Sequence, residues 1–145
     1  MNRGDWIEVR DAPNTRGIIK AVFRDRTCGT PGKVVVLLSG DSDLSTLTDD
    51  ELNEQWEPMQ FTGPAPAFWI QPKALFVKTD PRQRDADWYA EIVEVKPGWV
   101  AYYEKHAVIS KAPCFYMSRW WEFRKIYEPV NPPNAWDRLL QDDED

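Results

Sequence analysis

One short pattern, present twice, restricts what this chain can fold into more than any other feature. Gln55-Trp56-Glu57-Pro58-Met59 and Ile126-Tyr127-Glu128-Pro129-Val130 each place an aromatic before Glu-Pro and an apolar residue after it, 71 positions apart. Leu52 and Phe123 each stand five residues before the respective Glu. Proline cannot donate to a β ladder, so a Pro in a short apolar segment marks an edge strand or a strand end. Two segments that end alike, after similar strings of elements, read as the same unit built twice. The 145 residues suit either two very small units or one medium domain.

The elements before each closure support the repeat. Residues 5–9 alternate polar and apolar side chains, as a half-buried strand does. Residues 10–17 contain Asp, Pro, Asn and Gly and read as a loop. Residues 18–23 and 33–39 are rich in β-branched residues and read as strands joined by a hairpin loop. A loop rich in Gly, Asp and Ser follows. Thr48 with Glu51 three residues on is a capping box, which predicts one or two helical turns before a short strand at Trp56. In the second half, residues 73–79, 88–95 and 99–104 read as strands, with Lys96-Pro97-Gly98 a tight turn. A loop then runs to about Pro113, Ser118 is a candidate cap for a short turn, and residues 125–130 read as the final strand.

Composition agrees with short strands and stiff turns, since Pro is high at 12 and Gly is 7. Eight Trp is unusual in a chain of this length and suits small cores or interfaces. The segment between the repeats, residues 61–72, has three Pro but also Phe68, Trp69 and Ile70, which are too apolar for a free tether. The expected organisation is a first unit over 1–60, a packed Pro-rich linker over 61–72, a second unit over 73–130 and an acidic tail over 131–145. No apolar run reaches the ~20 residues a membrane helix needs, and the first residues carry no signal-like apolar region. With two cysteines and no pair motif, the expectation is a cytoplasmic protein with reduced thiols.

The fold these elements suggest is mainly β, with two SH3-like small barrels in tandem and short helical turns. The first half, with Gly4-Asp5 opening a strand, Ile7 and Val9 alternating along it and Gly17 after the next loop, resembles the KOW type of SH3-like barrel. The second half has no Gly-Asp opening, places Trp88 near the position of Gly17, and looks more like an aromatic-rich Tudor-type barrel. The resemblance implies binding of proteins, peptides, methylated side chains or nucleic acids, and fold does not choose among them.

Catalytic and metal chemistry find little support. His106 is the only histidine and has no Ser or Cys beside it in sequence, so it reads as a surface residue of a loop. Cys114, next to Phe115 and Tyr116, reads as a small buried apolar residue, and Cys28 lies in a Gly-containing loop. Two Cys and one His leave no structural zinc set. Asp41, Asp43 and Ser45 mimic the start of a calcium loop, but Thr46 stands where Gly is required and Leu52 where Glu is required. No catalytic residue, metal or cofactor is expected.

Binding is the better-supported class. The net charge is −6, with seven acids and no base over residues 41–60. An acidic chain is a poor general binder of phosphate backbones. The expected function is therefore a non-catalytic protein-binding module, of a kind common among viral and mobile-element accessory factors. The expected protein-binding residues are Arg119, Trp120, Trp121 and Arg124, because Trp and Arg concentrate binding energy. Asp41, Asp43, Asp49 and Asp50 are expected to add a steering charge. A nucleic-acid role is the first alternative, through Arg10, Arg16, Lys20, Arg24 and Arg26 of the first unit. An aromatic cage for a small molecule or modified residue is the second.

Overall fold

The computed structural model describes residues 1–23, 32–80, 88–106 and 112–130. The protein is mainly β, and the described residues form two five-stranded antiparallel sheets and two short helices. The first sheet comprises β1 (Trp6–Val9), β2 (Ala12–Phe23), β3 (Lys33–Leu38), β4 (Ser45–Thr48) and β5 (Trp56–Pro58), and α1 (Asp49–Gln55) joins the last two. The second comprises β6 (Leu75–Lys78), β7 (Trp88–Lys96), β8 (Trp99–His106), β9 (Cys114–Arg119) and β10 (Tyr127–Pro129), and α2 (Trp120–Ile126) precedes the last. Strand order is β4-β3-β2-β1-β5 in one and β9-β8-β7-β6-β10 in the other, which is the same order position for position. The chain thus forms two small barrel-like units in tandem. One compact unit comprises Met1–Gln60 with Phe115–Met117, and the other Phe61–Cys114 with the residues from Ser118 on.

Register makes the repeat residue-specific. Ile7, Glu8 and Val9 pair with Pro58, Glu57 and Trp56, and Phe76, Val77 and Lys78 pair with Pro129, Glu128 and Tyr127. Met59 N–H donates to Trp6 O and Val130 N–H to Leu75 O, each at 2.9 Å. Both α-helices end in the same way, with Trp56 N–H donating to Leu52 O and Tyr127 N–H to Phe123 O. Even the bulge recurs: the ladder slips between Ile19 and Ala21 in β2 and between Ile92 and Glu94 in β7.

These registers fix the two cores. Ile7, Ile19, Val34, Val36, Leu52 and Trp56 form the buried cluster of the first unit. Their counterparts Phe76, Ile92, Val100, Tyr102, Phe123 and Tyr127 are all buried as well. The second core is built largely from rings: Phe123 lies 5.0 Å from Phe76, 4.7 Å from Tyr102 and 4.8 Å from Tyr127 between centroids. The same backbone frame therefore holds an aliphatic core once and an aromatic core once. The aromatic excess of the second half is absorbed in part here.

Several sequence expectations need correction. Residues 12–17 belong to β2, not to a loop: the hairpin closes over Arg10 and Asp11, Val9 pairs with Ala12, and the next pair is Glu8 with Arg16. The residues between these two pairs are taken up as an irregularity of the ladder. β4 and β9 lie where a loop and the approach to a turn were expected. Residues 125 and 126 are helical, so the last strand starts at Tyr127. Ser118 is not a cap: it sits in β9, Arg119 is the N-cap residue, and no side chain caps α2. Ala90, not Trp88, is the counterpart of Gly17, since Ala90 pairs with Phe76 as Gly17 pairs with Ile7. α1 does carry the capping box, with Glu51 N–H donating to Thr48 Oγ1 at 3.1 Å.

Candidate functional site

The residues singled out around α2 are held against the chain that enters the second unit. Arg119 stacks over Trp99 at 4.3 Å and Trp121 at 5.2 Å from the ring centroids, and its Nη1 donates to Thr62 O at 2.9 Å. Trp120 Nε1–H donates to Pro64 O at 3.0 Å, and its ring meets Trp121 edge-on at 5.8 Å. Gly98, at the β7–β8 turn, completes the clamp: its N–H donates to Pro64 O at 3.0 Å, and its carbonyl accepts from Trp120 N–H at 3.3 Å. Both indoles are half-buried. These three side chains thus fasten residues 62–64, and half-buried cation–π contacts of this type contribute about 0.5–1 kcal/mol each. Arg124 lies elsewhere, with its guanidinium 6.0 Å from the Trp69 ring.

Trp69 leads to a different feature of the same unit. A groove of about 320 Å³ is lined by Trp69, Gln71, Pro72, Lys73, Ala74, Leu75, Phe76, Pro129 and Val130. Phe76 is fully buried and Trp69 half-buried, and their rings are 5.9 Å apart. Leu75 and Val130 are 42% and 46% exposed, although Val130 N–H is bonded to Leu75 O. Their counterparts in the first unit, Trp6 and Met59, are only 2% and 6% exposed. One pair of positions is closed in the first unit and open in the second. At about 25 cal/mol per Å², an exposed aliphatic pair is a reserve of binding energy.

Lys73 at the lip of this groove is the only described non-glycine residue with positive φ, at 73°. Its counterpart is Gly4, at 91°: Gly4 N–H donates to Ile19 O as Lys73 N–H donates to Ile92 O, both at 2.8 Å. The second unit therefore keeps the left-handed turn without the residue that suits it, at a cost of about 1–2 kcal/mol. The Gly-Asp opening of the first unit has a structural counterpart, Lys73-Ala74, that composition conceals. Among the described residues, the Lys73 ammonium has no ion-pair or hydrogen-bond partner, and no acidic side chain lines the groove.

The other expected residues are distributed over the first unit. Asp41 and Asp43 lie between β3 and β4, and Asp49 and Asp50 in the first turn of α1. Arg10 serves the end of α1, with Nε donating to Trp56 O and Nη2 to Asn53 O, both at 3.3 Å. Arg16 is half-buried opposite Glu8, and Lys20 occupies the β2 bulge. Arg24, Arg26, Cys28 and the acidic tail lie outside the described residues.

Titratable groups in the second unit are tied into its sheet. His106 ends β8 instead of lying in a loop, with its ring edge-on to Trp88 at 4.8 Å. Lys105 pairs with Glu91 across β7 and β8, and the hydrogen bond to that carboxylate raises the pKa of the ammonium. Tyr127 Oη donates to Glu104 at 3.1 Å, and burial, with Tyr102 and Glu104 beside it, pushes its phenol well above the ordinary value. Cys114 is half-buried. Among the described residues, no group of three or more His, Cys, Asp or Glu is placed to hold a metal ion, and no helix is long and apolar enough to cross a membrane.

Comparison with family models, with curated proteins and with solved structures gave no match. The groove and the clamp are therefore read from their own geometry.

Proposed function

We propose that the chain is a non-catalytic protein-binding module, and that the groove of the second unit receives an apolar side chain from a segment of the partner. The observation that carries this reading is the open pair Leu75 and Val130 beside half-buried Trp69, in front of the buried Phe76. A cleft of this volume is at the small end for ligand sites and suits one or two side chains. Trp120, Trp121 and Arg119 support the site indirectly, by fastening the start of the segment that carries Trp69.

The test uses the full chain as bait in its native cell extract, beside Leu75→Asp and Val130→Asp variants. Leu75 and Val130 are 42% and 46% exposed, and a melting temperature measured for each variant confirms that it remains folded. The reading requires that a partner captured by the wild type be lost from both variants, and that capture persist when salt is raised. Capture unchanged in both variants overturns it. Capture that collapses with salt points instead to phosphate-backbone binding.

A further inference from the structure

The geometry points to an acidic linear segment as the ligand of the groove, with an Asp or Glu next to the inserted apolar side chain held by Lys73. The inference rests on the protein-binding reading above and adds the chemistry of the partner. Three observations converge on it. First, the described cations near the groove are Lys73 on its lip and Arg124 over Trp69, while its lining holds no carboxylate. A groove with cationic edges and an apolar floor selects an apolar group beside a negative one. Second, Lys73 occupies a left-handed position that its counterpart fills with Gly4. Backbone strain of this kind is retained where a side chain is needed. Third, the ammonium has no ion-pair or hydrogen-bond partner among the described residues, and a ligand carboxylate would give it a charge-assisted hydrogen bond.

The neighbouring strand does not offer a main-chain alternative. β10 pairs with β6 through the inward-facing groups of Glu128 and Val130, and Pro129 between them has no N–H to present outward. Recognition at this edge therefore runs through side chains: the apolar anchor between Leu75 and Val130, and the carboxylate at Lys73.

Fluorescence anisotropy with synthetic peptides tests the inference on the full chain. The first probe carries Leu-Trp flanked by Asp on both sides, the second has Asn for Asp, and the third keeps Asp but has Ala for Leu-Trp. The wild type is expected to bind the first probe at least about tenfold more tightly than either of the others at low salt. Lys73→Gly keeps the turn, holds or raises the melting temperature, and removes the preference for Asp over Asn. Val130→Asp weakens both Leu-Trp probes. Equal affinity for the Asp and Asn probes in the wild type overturns the acidic-segment inference, and leaves the groove reading standing if Val130→Asp still weakens both. Affinity for the Leu-Trp probes that Val130→Asp does not change overturns the groove reading itself. No binding of any probe at millimolar concentration overturns the inference. So does a dimer that Val130→Asp dissolves, or a gain in affinity when Trp136 or Leu140 of the chain's own terminal segment is changed to Ala, since each assigns the groove another occupant.

Discussion

Gly98→Ala separates backbone strain from steric exclusion at the clamp. Gly98 has φ +81°, and a Cβ there would stand 2.4 Å from Thr62 O and 2.9 Å from Arg119 Nη1. The side chain must therefore push residues 62–64 away from the β7–β8 turn. That movement strains two hydrogen bonds, Gly98 N–H to Pro64 O and Arg119 Nη1 to Thr62 O. The left-handed backbone costs roughly 1–2 kcal/mol for any residue with a Cβ. Losing the two bonds adds about 1 kcal/mol each. The expected destabilisation is thus about 3–4 kcal/mol. Gly4→Ala is the matched control, because Gly4 has φ +91° and nothing within 4 Å of its Cβ position. It carries the backbone cost alone, and the unfolded-state effect of Gly→Ala is common to both variants. Urea unfolding followed by Trp fluorescence reads the difference, with Trp99 next to the substituted residue. Gly98→Ala should lower stability by at least about 1 kcal/mol more than Gly4→Ala. Equal losses would refute the idea that close approach of residues 62–64 holds this part of the second unit together.

The remaining predictions concern the helix cap and the buried phenol. Thr48→Ala removes the capping box of α1 and is expected to cost about 1 kcal/mol in a urea melt, whereas Arg119→Ala removes no side-chain cap from α2 and acts only through Trp99, Trp121 and Thr62. Tyr127 is held neutral in the fold by burial and by Tyr102 and Glu104, so its pKa lies above that of the unfolded chain. Its contribution is fully present below about pH 10 and is lost as pH rises above that value. The urea midpoint should hold up to about pH 10 and fall progressively as pH rises above it, and Tyr127→Phe should flatten that fall. An unchanged pH profile in Tyr127→Phe would show that the phenol is not the group responsible.

What could be read from the chain divides along physical lines. Both Glu-Pro closures, the Thr48–Glu51 cap, the part of β2 from Ile18 on, and the β3, β7 and β8 strands were legible, because local chemistry decides them. β4 was not, since Ser45-Thr46-Leu47-Thr48 is polar and follows an acidic loop, so only pairing with β3 makes it a strand. β9 was hidden because Cys114–Arg119 runs directly into helical Trp120 and Trp121. The counterpart of Gly4 was missed because Lys73 keeps the left-handed turn against its own preference. The groove was illegible for a different reason: Trp69, Leu75 and Val130 come together only when β10 pairs with β6. The one available signal was the apolar excess of Phe68 and Trp69 in a Pro-rich segment. Of the residues expected to bind a partner, Arg124 alone stands near Trp69, while Arg119, Trp120 and Trp121 fasten the segment leading to it.

The Glu-Pro pairs have a consequence for assembly. In each closing strand, the groups facing the neighbour belong to Glu57 and Met59, or to Glu128 and Val130, while Pro58 or Pro129 faces the other way. The N–H of the preceding aromatic is already spent on its own helix, at Leu52 O or Phe123 O. The outward side of each terminal strand is therefore deprived of donors at both positions where a further strand would need them. For a chain that builds the same closing strand twice, this matters wherever β5 or β10 meets a strand other than its own neighbour. A mismatched closure still forms its inward bonds but cannot recruit a third strand to grow from. The two prolines thus act as terminators of propagation, which keeps an error between like units, or between molecules, from becoming a seed for extended sheet.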